Sequence, residues 1–411
     1  MSPVEHQKAL YIGSSSYVEQ LHAMVPHRPV EWTPIDHLEQ LAAYLTKSVP
    51  VMIVADQSYL NRSVRRLESL LSSIPGMRYV PLAVISDDAQ EAEQAIAETV
   101  CNLHCFQWET AQNDVTAFIE RNTRQSIYVK FWGVRGSTPC ANSENMHVGG
   151  NTSCVQIQIP GMTELLILDS GTGIRNLGNY LDLYAREKLT GNVFITHPHW
   201  DHIQGFPFFK PFYSGKNRFT IRMPQQYRGG AEDILAGHLT KTFFPVTLDM
   251  LSAELHYQTQ KEQPMDFGHY KVDYMVANHP TKTAMYRFQT NGYTIIYAPD
   301  NELPLEPSPL RFLERFEDFI SGCDLLIHDA QFSKRLYKER VGWGHSAREH
   351  VTEIAKANGV KRLLLTHHDV DDNDQTLRKV AKDLQKNYSN GFLQLALARE
   401  GSVVQLPLGN E

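Results

Sequence analysis

The chain has 411 residues and a formal net charge of −7, from 39 Lys and Arg against 46 Asp and Glu. At about 150 residues per domain, two to three domains are expected. With 42% hydrophobic and 21% charged residues, the composition excludes a mostly disordered chain. No apolar run approaches the ~18–20 residues of a membrane span. The start MSPVEHQKALYIG lacks the basic-then-apolar order of a secretory signal, and the mild acidic balance argues against a protein that coats nucleic acid. Five scattered cysteines, Cys101, Cys105, Cys140, Cys154 and Cys323, form no CxxC pair. Reduced thiols and a cytoplasmic location are therefore expected.

In chain order, Ala9–Ile12, Pro50–Ala55 and Val80–Ile85 read as buried strands. Helical spacing is expected over Asn61–Ser73, Ala89–Val100 and Asp114–Arg121. Alternating buried strands and helices imply a parallel sheet covered on both faces. The texture changes near residue 125, which predicts a first domain over residues 1–124 and a second over 125–411. In the second, strands are expected at Ser126–Phe131, Cys154–Ile159, Leu165–Asp169 and Asn192–Thr196. Further strands are expected at Tyr270–Val276, Ala284–Thr290, Thr294–Ala298, Leu325–Ile327, Arg362–Leu365 and Leu393–Ala396. Helices are expected at Ile174–Lys188, Arg311–Ile320, Ala347–Asn358 and Asp374–Tyr388.

The strongest local signal is Thr196-His197-Pro198-His199-Trp200-Asp201-His202, directly after an apolar strand. Imidazole and carboxylate are the usual ligands of zinc and other first-row divalent ions. One helix could not aim all of these side chains together, because positions two apart do not share a face; a loop leaving a strand can. Four ligands are too many for one tetrahedral ion with an open position, so two ions sharing a pocket are expected. The missing ligands are sought at other strand ends: His279 in Ala-Asn-His-Pro, Asp300 in Ala-Pro-Asp, and His367 in Leu-Thr-His, with His368 as its alternative.

These residues resemble the metallo-β-lactamase superfamily, whose H-x-H-x-D-H motif is matched by His197, His199, Asp201 and His202. Phe131–Ser137, Gly149–Ser153, Leu168–Gly173, His328–Phe332 and Gly342–Ser346 are similar to its phosphodiesterase branch related to tRNase Z. The resemblance runs from about Tyr128 to Val404. It implies an αββα sandwich with a dinuclear site at one edge. By the same resemblance, one ion falls to His197, His199 and His279. The other falls to Asp201, His202 and His367, with Asp300 bridging. Asp169 would orient a ligand histidine. Asp201 would position or deprotonate water, and His345, paired with Asp329, would act as general acid. Zinc is the first choice of metal, with manganese or iron as alternatives. His199 stands where di-iron redox relatives usually carry Glu, which favours hydrolysis.

Between Ile203 and Ala231 there is no acidic residue, while the stretch contains Lys210, Lys216, Arg218, Arg222 and Arg228 together with Phe206, Phe208, Phe209, Phe212 and Tyr213. Arg218 and Arg222 are the expected contacts to a substrate phosphate. With no long basic arm, a cyclic nucleotide or similar small phosphodiester is the expected substrate. The alternatives are an RNA-processing endonuclease of tRNase Z type and a non-catalytic signalling protein that keeps the fold.

Residues 8–124 resemble a response-regulator receiver domain, with Asp56 at the phosphoacceptor position and Ser86 at the hydroxyl position. The acidic pair is replaced by Gly13-Ser14-Ser15-Ser16 and no lysine follows near Cys101–Trp108. A degenerate module is therefore expected, used for homodimerisation or for docking a signalling partner.

Overall fold

The computed structural model describes residues 7–26, 30–60, 64–74, 76–86, 103–107, 112–185, 187–305 and 311–408. The expected helix Ala89–Val100 lies outside them, as do Cys101 and Trp108. The chain divides into two compact units. One holds residues 1–127, 179–186 and 401–411, and the other holds residues 128–178 and 187–400.

In the first unit, strands β1 (Gln7–Ile12), β2 (Val30–Ile35), β3 (Ile53–Asp56), β4 (Leu82–Ile85) and β5 (Leu103–Phe106) form a parallel sheet in the order β2-β1-β3-β4-β5. Successive strand residues point to opposite faces, and each face has its own core. Leu10, Ile12, Ile53 and Ala55 pack with Leu41, Leu45, Leu67 and Leu71 on one side. Ala9, Tyr11 and Val54 pack with Leu21, Phe118 and Ile119 on the other. β2 was not expected from the sequence: its VEWTPI carries Glu and Pro, which an edge strand tolerates because one side of its backbone is unpaired.

The second unit is built on two sheets. In one, β6 (Ser126–Gly133), β7 (Cys154–Gln158), β8 (Leu165–Leu168), β9 (Thr190–Phe194), β10 (Arg218–Pro224) and β11 (Glu254–Gln260) lie in the order β11-β10-β9-β8-β7-β6. The other runs β12 (Met265–Asp266), β13 (Lys271–Val276), β14 (Ala284–Thr290), β15 (Tyr293–Ala298), β16 (Leu325–Asp329), β17 (Arg362–Thr366) and β18 (Gln394–Leu397), neighbours in sequence order. The last strand of the chain, β19, covers Val403–Pro407. The sheets meet through aromatic side chains: Phe194 of β9 stands edge-on to Tyr286 and Phe288 of β14. Behind the second sheet, helices Phe312–Ile320, Arg348–Ala357 and Asp374–Tyr388 contribute Phe316, Val351 and Leu384 to a buried cluster with Ile296, Leu326 and Leu363.

Two antiparallel steps from β13 to β15, then parallel pairing through β17, give β13, β15, β16 and β17 one direction. Their C-terminal ends therefore lie along one edge. His279, Asp300, Asp329 and His367 all sit at or just beyond those ends.

Candidate metal centre

His197 and His199 leave the end of β9, and Asp201 and His202 lie in the one-turn helix Trp200–Ile203. Two groups of side chains converge here, His197, His199, His279 and Asp300 on one side, and Asp201, His202 and His367 on the other, and a third group, Asp300, His345 and His367, overlaps both. Asp300 divides between them. Its Oδ2 lies 3.7 Å from His197 Nε2 and 3.8 Å from His279 Nε2. Its Oδ1 lies 3.0 Å from His202 Nε2 and 3.2 Å from His367 Nε2. Asp201 Oδ2 stands 3.3 Å from His202 Nε2 and 3.0 Å from His367 Nε2.

The donors fit divalent ions. His197 Nε2, His202 Nε2 and Asp300 Oδ1 are buried and have no hydrogen-bond partner, although they face one another. Unpaired polar atoms so placed are costly unless something else binds them. All donors are nitrogen or oxygen, the set that zinc and its neighbours take. Burial, reinforced by His202, holds His197 well below the ordinary imidazole range. Burial and His279 bring His199 down to about 4. Burial alone would raise Asp201, but His202 and His367 outweigh it and hold the carboxyl well below its usual range. At His202 burial is overcome by Asp300, Asp201 and Asp169, which raise it well above 6.5, so the pocket calls for positive charge there.

A surrounding layer orients these groups. Asp169 Oδ2 lies 2.8 Å from His202 Nδ1 and accepts from the Tyr297 hydroxyl at 2.9 Å, while its Oδ1 accepts from Thr196 N at 2.7 Å. His279 Nδ1 reaches the Gly344 carbonyl at 3.0 Å. Thr281 Oγ1 lies 2.9 Å from His199 Nε2, leaving Nδ1 of that ring toward His279. Ser137 N donates to Asp201 Oδ2 at 2.7 Å. Gly136 lets that strand end approach, since a Cβ there would stand 2.4 Å from the His367 ring. Asp169, Ser137 and His367 all adopt left-handed backbone, with φ of 57°, 62° and 59°, a conformation that non-glycine residues hold only where their surroundings enforce it.

Opposite the ligands, His345 Nδ1 lies 2.8 Å from Asp329 Oδ2, and its ring stacks on His367 at 4.9 Å. Burial would lower His345, but the Asp329 charge and hydrogen bond, with Asp300 and Asp201, push it up to about 9. A cavity of about 400 Å³ opens over the site, lined by Ser137, His199, Trp200, Asp201, Asp300, His345 and His367.

Three expectations are corrected. His368 is no ligand alternative: it is buried with Nε2 on the Ala398 carbonyl at 2.7 Å. Arg222 does not face the site. Its Nε reaches Asn192 at 2.9 Å, its Nη1 reaches Gln258 at 2.6 Å, and the guanidinium lies 4.7 Å over the Phe267 ring. Arg218 pairs with Thr190 at the start of β9, whereas the metal ligands follow its end. Both arginines lie on β10, whose Phe219, Ile221 and Met223 are fully buried. Thr281 and Tyr297 carried no signal in the sequence, and Gly344 lay inside the quoted Gly342–Ser346 stretch, where its carbonyl is what acts. Ser137 lay inside the quoted Phe131–Ser137 stretch, and its backbone amide is what acts.

Residues 167–368 match the family described as "Beta-lactamase superfamily domain". The chain is 25% identical over 285 residues to "Ribonuclease Z" of Lactiplantibacillus plantarum, covering 60% of this chain and 89% of that protein. It is 23% identical over 214 residues to "Ribonuclease Z" of Bacillus subtilis, covering 43% and 69%. Among solved structures, the metallo-β-lactamase fold protein YhfI of Bacillus subtilis aligns with 68% of this chain and 99% of its own, at 20% identity and a TM-score of 0.49.

Proposed function

We propose, from a C-terminal unit that contains a metallo-β-lactamase superfamily domain, that this protein is a two-ion hydrolase of small phosphodiesters. The observation that carries the reading is the division of Asp300: one oxygen faces His197 and His279, the other His202 and His367. His197, His199 and His279 would hold one ion, Asp201, His202 and His367 the other, with Asp300 between them. When bound, two such ions, zinc first among the candidates, neutralise phosphoryl oxygens and make water a nucleophile near neutral pH. Asp201, fixed by Ser137 N, positions the attacking water. His345 carries the proton for the leaving oxygen on Nε2, because Nδ1 is committed to Asp329.

The substrate follows from size and charge. A cavity of about 400 Å³ suits one nucleotide-sized group. Trp200 is 75% exposed on its lining and offers a face on which a base can stack. A net charge of −7 suits a small anion better than a long polyanion. A cyclic nucleotide is therefore the leading substrate. One observation favours a second reading, RNA processing: the relatives at 22–25% identity carry the name Ribonuclease Z. The deciding experiment compares kcat/KM for 3′,5′-cyclic nucleotides, bis-p-nitrophenyl phosphate and precursor tRNA across 50–200 mM salt. The small-substrate reading expects cyclic nucleotides to be preferred with little salt dependence. Preferred cleavage of precursor tRNA, weakening by about 10³–10⁵ over that salt range, sinks it.

The N-terminal unit serves, in this reading, to join two copies or to dock a signalling partner. Support comes from its 2-1-3-4-5 strand order, shared by flavodoxin-like folds, with Asp56 at the end of β3. Among the described residues, no helix is long and apolar enough to cross a membrane.

A further inference from the structure

Two residues beyond Asp300, the buried carboxylate of Glu302 sits behind the loop that presents His345. Its Oε1 accepts from Gly342 N at 2.8 Å and from the Tyr337 hydroxyl at 2.9 Å. Its Oε2 accepts from Gly344 N at 2.8 Å. Gly342 and Gly344 both have left-handed backbone, φ 86° and 90°, so two amides on either side of Trp343 can turn toward one acceptor. The main chain of Glu302 is tied as firmly on its other side. Its N–H donates to the Asn278 carbonyl at 2.9 Å, and its carbonyl accepts from Asn278 Nδ2 at 2.9 Å. Asn278 immediately precedes His279.

The loop held by this carboxylate touches the ligand set directly. The Gly344 carbonyl faces His279 Nδ1 at 3.0 Å, so that nitrogen keeps the proton and Nε2 keeps its lone pair toward His199 and Asp300. A Cβ on Gly344 would stand 2.1 Å from His279 Nδ1. The next residue is His345. One peptide unit therefore sets the tautomer of a ligand on one side and the position of the acid on the other.

We infer that Glu302 is a positioning residue that couples the two: its carboxylate locks the Gly342–His345 turn, which fixes His279 for the ion and His345 for the leaving group. The inference rests on the two-ion reading above and adds to it a dependence of one ion, not both, on a residue that touches neither.

The test uses the full chain loaded with zinc. EDTA competition counts the ions retained, and kinetics with aryl phosphodiesters of graded leaving groups report on the acid. Glu302→Gln should release one ion of two about 10–100-fold more readily, the usual effect of losing a partner that orients a ligand. It should also steepen the dependence on leaving group. Tyr337→Phe, which keeps the amide bonds to the carboxylate, should move both readouts the same way by less. Native release of both ions with unchanged leaving-group dependence overturns the proposal. So does equal loss of both ions, which marks general loosening. If Glu302→Gln does not fold, native values in both readouts for Tyr337→Phe overturn it. Native protein that takes up no zinc refutes the two-ion reading itself, whereas native protein with two ions and an indifferent variant refutes only the coupling.

Discussion

Asp300 contributes one oxygen to each half of the centre, whereas His199 belongs to one half alone. Asp300→Ala should therefore lose both ions and His199→Ala chiefly one, against close to two per native chain by elemental analysis. Full metal content in either variant would contradict the assignment. His345 makes a different prediction, because it faces the cavity without standing among the seven ligands. His345→Ala should keep its metal and slow turnover by about 10²–10⁴, with a smaller loss for p-nitrophenolate, which leaves without protonation. An equal loss across leaving groups would mean that His345 binds or shapes the site. Its pH dependence has a definite sign. Asp329 and its neighbours raise the imidazole to about 9 against burial, so the acid form persists through neutrality and is lost as pH rises through that region. Cations in the pocket pull this limb below 9, and Asp329→Asn should lower it further, seen as an earlier alkaline fall in kcat for poor leaving groups. The same raised value stabilises the fold fully below the unfolded imidazole range and ceases to do so above about 9.

At the scale of the element, β10 separates what its residues suggest from what they do. Arg222 is 7% exposed and holds two side-chain hydrogen bonds across neighbouring strands. Arg222→Ala should cost about 2–3 kcal/mol of stability, measured by denaturant unfolding, while KM stays near native in protein that remains folded. A raised KM at unchanged stability would restore its role in substrate binding. The reason β10 was hidden in the sequence is physical: a charged residue on a strand advertises solvent, and only the partners Asn192 and Gln258, distant along the chain, make its burial tolerable. Strand β11 was hidden for the opposite reason, since ELHYQTQ lies at a sheet edge and has little to bury. Strands such as β8 and β15 were legible because short, nearly continuous apolar runs have few other uses in a packed α/β domain. The same contrast holds at the site. The four motif ligands sit within six positions and announce themselves. Tyr297 does not, because its contact with Asp169 spans 128 residues and an isolated tyrosine in a strand reads as core.

For the whole molecule, the centre joins segments of both sheets of the second unit, so metal should act as a clasp on that unit. Removing it with EDTA should lower the melting temperature; saturation at 1,000 times Kd corresponds to about 4 kcal/mol. An unchanged melting curve on chelation would show the sheets to be held without it. In the first unit, Asp56 Oδ1 already accepts from Ser58 N at 2.8 Å and Ser58 Oγ at 2.6 Å. Asp56→Asn should leave activity unaltered and acetyl phosphate should not label the native chain; labelling that vanishes in the variant would mean a working phosphoacceptor. One feature of the centre also orders events in time. Asp201 and His367 meet across 166 residues, so during synthesis the first four ligands emerge from the ribosome long before their last partner. A nascent chain holds an incomplete set of donors until His367 has been made, and nearly the whole of the second unit must be made before the site can close. In the two-ion reading, metal uptake thus follows the folding of the second unit, and a hydrolase so built would stay silent until that unit is complete.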